Sequence, residues 1–190
     1  CGPFGNIATG NSSILADRLG LQRSDIVITE AGFGADLGFE RFVNVKCRTS
    51  GLTPDAAVVV VTVRALKVHS GRFTVSAGKP LPPEMLEESP GDVAAGLANL
   101  AHHLDIVADA GVPAVVAINA FPDDHPSEHA VIERFAHQRG VRVAITRHVA
   151  EGGGGAQDLV REVLAATQEG SHLRYTYDLE DALEVKLRKL

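Results

Sequence analysis

The sequence predicts an α/β fold with a mostly parallel sheet flanked by helices. Three observations predict it. Short apolar runs alternate with longer amphipathic segments, the rhythm of βαβ units. The run Ala56-Ala57-Val58-Val59-Val60-Val61 is apolar without interruption and rich in β-branched residues, as in a strand covered on both faces. Polar residues then gather where that run ends, at Thr62, Arg64, Lys67 and His69. Ligands of wound parallel sheets bind at such carboxyl ends.

The elements follow in order. An amphipathic segment predicts a helix over 12–19, and a short apolar run predicts a strand over 26–29. The valine run gives a strand over 56–63. If the chain then continues helically, Arg64 and Lys67 are three apart and share a face. Residues 70–90 hold Pro80, Pro82, Pro83 and Pro90 and read as an extended surface excursion. A helix over 92–110 is predicted by Val93, Leu97, Leu100, Leu104 and Val107 at helical spacing, with Gly111-Val112-Pro113 as the stop. Strands over 114–119 and 141–146 flank a helix over 126–139 that opens on Pro126. A glycine run, Gly152 to Gly155, opens a helix over 156–168, and a last helix is expected over 179–190. No internal repeat or low-complexity tract breaks the chain, so a single α/β domain over 1–190 is expected.

Composition narrows the function classes. The chain has 190 residues, 45% hydrophobic and 22% charged, the make-up of an ordinary globular protein with a sizeable core. A net charge of −6 disfavours nucleic acid or an anionic membrane as partner. Two cysteines, Cys1 and Cys47, give no disulfide framework, and no apolar run approaches the ~18 residues of a membrane span. With no signal-peptide pattern, a cytoplasmic location is expected. The only methionine is Met85, so the chain is expected to be a fragment or a processed form.

Several segments carry candidate chemistry, each with an alternative. Arg64 and Lys67 can handle an anion, Arg bidentately and Lys as a point charge, or form a solvated basic turn. Gly32 and Gly34 let a ligand approach the main chain, and Phe33 between them offers a ring face to a flat ligand or pins the turn into the core. Glu30 and Asp36 flank it. Asn119 can hydrogen-bond a purine-like edge, with Phe121 as a second ring face and Pro122 stiffening the loop, or it caps the following helix in an Asx turn. Gly152, Gly153 and Gly154 form an anion nest at a helix start or a flexible linker. No Gly-Lys-Ser/Thr follows, so this is not a Walker A loop. His125 and His129 share a helix face without a third ligand at useful spacing, and adjacent His102 and His103 diverge, so no metal site is expected. No Gly-x-Ser-x-Gly elbow appears.

Residues 60–71 follow the pattern VxTVRALKxHxG. Collinear with it are Gly2 to Ala8, Thr29 to Asp36, Lys46 to Gly51, Ala77 to Pro82, Ala117 to Pro122 and the glycine run. Together they resemble formate–tetrahydrofolate ligase over nearly the whole chain. The resemblance implies a P-loop-NTPase-like fold, part of a larger domain, and an ATP-dependent ligase that makes 10-formyltetrahydrofolate through formyl phosphate. Formate, ATP with Mg2+ and tetrahydrofolate are the implied substrates, none held tightly by this chain, and a homotetramer the implied assembly. It assigns Glu30, Phe33, Gly34, Phe121 and Val149 to folate, and Asn119, Phe121, Gly152, Gly153 and Gly154 to the nucleotide. The phosphate-binding lysine is expected on a segment N-terminal to everything here, leaving the catalytic residues unassigned and the isolated chain inactive. The alternative is an inactive nucleotide- or folate-binding or assembly module.

The chain departs from the family's pattern at three positions. Val149 stands where a tryptophan is usual, Glu151 where a lysine is usual, and Thr9 where a histidine is usual. Losing a stacking ring costs about 1 kcal/mol of binding or more, which puts folate affinity in question.

Overall fold

The computed structural model describes residues 11–76 and 78–190. The Gly2 to Ala8 motif, Cys1, Thr9 and Ala77 lie outside the described residues. In chain order the elements begin with α1 (Ile14–Leu21) and a helical stretch over 35–50, α2. Wide π-turns Ala35–Phe39 and Phe42–Cys47 make up most of α2, closed by Arg48–Ser50. Then come β1 (Ala57–Val61), α3 (Val63–His69), a 3-10 turn Pro83–Met85, and α4 (Pro90–Asp109). Next are β2 (Ala114–Asn119), α5 (Pro126–Gln138), β3 (Arg142–Thr146) and α6 (His148–Glu151). A 3-10 turn Gly152–Ala156, α7 (Gln157–Thr167) and α8 (Leu183–Lys189) complete the order. No helix among the described residues is long and apolar enough to cross a membrane.

The chain forms two compact units. One comprises residues 55–105 and 113–170. It is an α/β layer structure whose three strands are parallel in the order β1-β2-β3. Val61 lies beside Ile118 and Asn119 beside Thr146, so all three strands finish at one rim. One face of the sheet is packed by Leu66 of α3, Val93, Leu100 and Leu104 of α4, and Ile132 and Ala136 of α5, over Val61, Val116 and Ile118. Gly96 lets α4 close on α3, since a Cβ there would sit 2.0 Å from the Leu66 carbonyl oxygen. β2 is buried along both faces, as a central parallel strand should be. β1 is not. Its burial alternates, with Val58 and Val60 exposed among the described residues, Val60 to 64%. The uninterrupted valines thus mark an edge strand with one open face, correcting the expectation of cover on both.

The 70–90 excursion is anchored rather than loose. Met85 is buried, and the Lys67 ammonium donates to the carbonyls of Met85 at 3.0 Å and Glu87 at 2.7 Å. Its third partner is the buried Glu128 carboxylate at 2.5 Å. Glu128 in turn accepts from the Ser89 and His125 backbone N–H groups, at 2.8 and 3.0 Å. Burial pushes the Glu128 carboxyl up, but the Lys67 hydrogen bond and these two backbone bonds hold it below its usual range.

The other unit comprises residues 1–54, 106–112 and 171–190. The expected strand over 26–29 is absent: this segment pairs with no strand among the described residues, and Ile28 is 91% exposed. An apolar run forms a strand only where a partner satisfies its backbone. α2 follows the Gly32-Phe33-Gly34 turn, over a stretch where the sequence predicted no element. Phe39, Val43 and Cys47 recur every fourth residue and are buried, a spacing between the α and π repeats. Burial pushes the Cys47 thiol up to about 11, so it is an inert core group. Lys46 is buried against Asp17 at 2.6 Å and donates to Ser12 at 3.0 Å. Arg48 lies 4.0 Å from the Tyr175 ring centre and donates to the Tyr177 carbonyl at 2.5 Å, tying the C-terminal segment to α2.

Candidate functional site

The rim where the three parallel strands end carries most of the candidate residues. Thr62 leaves β1 in an extended conformation, and its hydroxyl accepts from the Ala65 N–H at 3.0 Å, capping α3. That cap starts α3 at once and sends Arg64 and Lys67 in different directions. Lys67 turns into the core, with all three donors taken as described. Arg64 stays at the rim, its guanidinium 4.1 Å from the Phe121 ring centre and bonded to Asp123 at 2.9 Å. Its Nε is buried and donates to nothing among the described residues. Shared helical spacing therefore does not make Arg64 and Lys67 one anion grip.

β2 delivers the next residues. Asn119 ends the strand half-buried, and its side-chain amide makes no hydrogen bond within the described residues. The following loop is held by Asp124 rather than by an Asx turn at Asn119. The Asp124 carboxylate accepts from the Phe121 N–H at 2.9 Å and meets His129 Nε2 at 3.1 Å. Both side chains are buried. Burial pushes the Asp124 carboxyl up, yet the His129 and Phe121 hydrogen bonds outweigh it and hold the group below its usual range. The sequence treated His129 only as half of a metal pair. Its real partner, five residues earlier, becomes visible only once the loop has turned back on α5.

β3 brings the glycine run. Thr146 is buried and pairs with His148 Nδ1 at 2.8 Å. The Arg147 N–H donates to the Gly155 carbonyl at 2.9 Å, and a Cβ on Gly155 would collide with the Arg147 carbonyl. Gly152 has φ +58°, the left-handed region that favours glycine. Gly153 and Gly154 differ, because nothing lies within 4 Å of a Cβ added at either. Packing does not explain why they lack side chains. Val149, on α6, is 79% exposed.

Glu30, Phe33 and Gly34 belong to the other unit. Phe33 has φ +72°, in the left-handed region where a bulky L-residue is strained. Its ring is 60% exposed and lies 5.9 Å from the Arg41 guanidinium. Gly34 caps the first turn of α2, its carbonyl accepting from Leu37 and Gly38. Glu30 is exposed. The rim thus brings together Arg64, Asn119, Phe121, Val149 and Gly152 to Gly154, and excludes Lys67.

A family model described as formate–tetrahydrofolate ligase matches residues 1–190. The chain belongs to the formate–tetrahydrofolate ligase family. It is similar to a formate–tetrahydrofolate ligase of Cutibacterium acnes, with 57% identity over all of this chain and 34% of that relative. A ligase of this family from Rubrobacter xylanophilus is 56% identical over all of this chain and 35% of its own length. Another, from Saccharopolyspora erythraea, is 55% identical over all of this chain and 34% of its length. The chain spans about a third of the length of these curated relatives. Among the described residues no group of three or more His, Cys, Asp or Glu is arranged to hold a metal ion.

Proposed function

We propose that these residues supply the folate- and adenine-binding side of the cleft of an ATP-dependent formate–tetrahydrofolate ligase. In that reaction ATP phosphorylates formate, and the amine of tetrahydrofolate displaces phosphate from formyl phosphate to give 10-formyltetrahydrofolate. The observation that carries the reading is the Phe121 ring, held at the carboxyl ends of parallel strands with Arg64 on one face. Such a rim is where wound sheets bind ligands, and an aromatic face suits a planar heterocycle.

Each assignment has physical support. Asn119 offers an unpaired donor and acceptor to an adenine edge. Gly153 and Gly154 leave bare backbone open to the nucleotide, and Gly152 turns the chain to present it. Val149 takes the folate-facing place on α6 but brings no ring. Within the other unit, strain at Phe33 supports a functional reading, because a costly backbone holding an aromatic outward is kept for a reason beyond packing. Glu30 and Gly34 share its loop and its folate assignment. Cytoplasmic location and homotetrameric assembly belong to the same reading.

Calorimetric titration of the 190-residue chain with a tetrahydrofolate analogue and, separately, with ADP tests it. Folate binding supports the ligase reading. ADP binding alone points to a nucleotide-binding regulator, and heat from neither ligand points to an assembly module.

A further inference from the structure

We infer that Asp124 and His129 are positioning residues that act through Phe121, with Arg64 deciding which face of its ring a ligand can use. The inference rests on the folate reading above. Three observations carry it. The Asp124 Oδ2 atom meets both the Phe121 N–H at 2.9 Å and His129 Nε2 at 3.1 Å, so one buried oxygen couples the loop backbone to α5. His129 sits within the regular α5 helix and is itself buried, which makes it a fixed post rather than a mobile surface group. The Arg64 guanidinium lies 4.1 Å from the ring centre while Asp123 holds it at 2.9 Å, so one face of the ring is already occupied.

A loop of residues 120–125 would otherwise sample many conformations, and ordering it on binding would reduce affinity. The Asp124 bridge does that ordering in the free protein. With Arg64 over one face of the half-buried ring, only the opposite face is left for a flat ligand to use. No proton or bond changes hands, because the groups act only by fixing geometry.

Four variants test this: Asp124→Ala, His129→Ala, His129→Gln and Arg64→Ala. Gln places its amide nitrogen near the position of imidazole Nε2 and keeps the hydrogen bond. Affinity for a tetrahydrofolate analogue is measured by calorimetry, and the Phe121 amide is followed by NMR hydrogen exchange. Asp124→Ala and His129→Ala are expected to weaken binding at least tenfold and to speed Phe121 amide exchange at least tenfold, with far-UV circular dichroism unchanged. His129→Gln restores both to within about threefold of the parent. Arg64→Ala weakens binding while leaving Phe121 amide exchange as in the parent, because it acts on the ring face and not on the loop. If either alanine variant loses its fold, the parent and His129→Gln spectra still report whether the bridge orders Phe121. Unchanged affinity in the alanine variants, or no rescue by Gln, overturns the positioning role while the folate reading stands. A parent chain that binds no folate overturns both.

Discussion

Lys67 and Arg64 share one helical turn yet answer to different physics. Lys67 is buried with its three donors on Glu128, Met85 and Glu87, so truncation leaves an uncompensated carboxylate in the core. Lys67→Ala is expected to cost about 3–5 kcal/mol in urea unfolding. The Glu128 carboxyl, ordinarily at 4.5, is depressed in the folded chain. A depressed carboxyl stabilises fully above its unfolded value, and that contribution is lost as pH falls through the folded one. The urea midpoint should therefore drop as pH is lowered below about 4.5, and Glu128→Gln should flatten that dependence. The bare glycines make the opposite case. A Cβ at Gly153 meets nothing, so Gly153→Ala should leave stability within about 0.5 kcal/mol. Its effect should appear instead as weaker nucleotide binding in calorimetry. At this scale the sequence revealed which residue types matter, but not their partners. Arg64 on Phe121 and Asp124 on His129 are tertiary contacts, and no spacing rule encodes them.

Periodicity was enough to place the strands and the long helices of the sheet unit. β2 occupies the predicted 114–119, and α4 and α5 lie within two residues of their expected bounds. Each is a long or uniformly apolar pattern bounded by Gly or Pro. Two elements departed from the sequence reading for different reasons. The 26–29 run has strand character but lacks a partner, and α2 follows a four-residue repeat that neither the strand nor the ordinary helix template matches. The valines of β1 were read correctly as a strand, whereas their cover was not, because burial of an edge depends on what lies beside it. Substitutions should expose the difference. Val116→Thr, at a fully buried position, should cost about 1–3 kcal/mol, and Val60→Thr less than about 0.5. Gly96→Ala should cost about 1–3 kcal/mol by pushing α4 off Leu66. Chemical unfolding of the three variants checks all of these.

For the molecule as a whole, family membership was legible because seven motifs run collinearly along the chain, which is far more specific than any one of them alone. The match covers every residue of this chain and about a third of its relatives. The phosphate-binding lysine is expected outside this chain, so the purified 190 residues should show no formate-dependent ATP hydrolysis in a coupled assay. The account depends most on Phe121 offering a ring face to folate. The direct measurement is the affinity of a tetrahydrofolate analogue for the parent chain and for Phe121→Ala, in the same buffer and by the same calorimetric titration. Saturable binding by the parent that weakens at least tenfold in Phe121→Ala is the predicted result. Equal affinity in the two chains, or no binding by the parent, would contradict it.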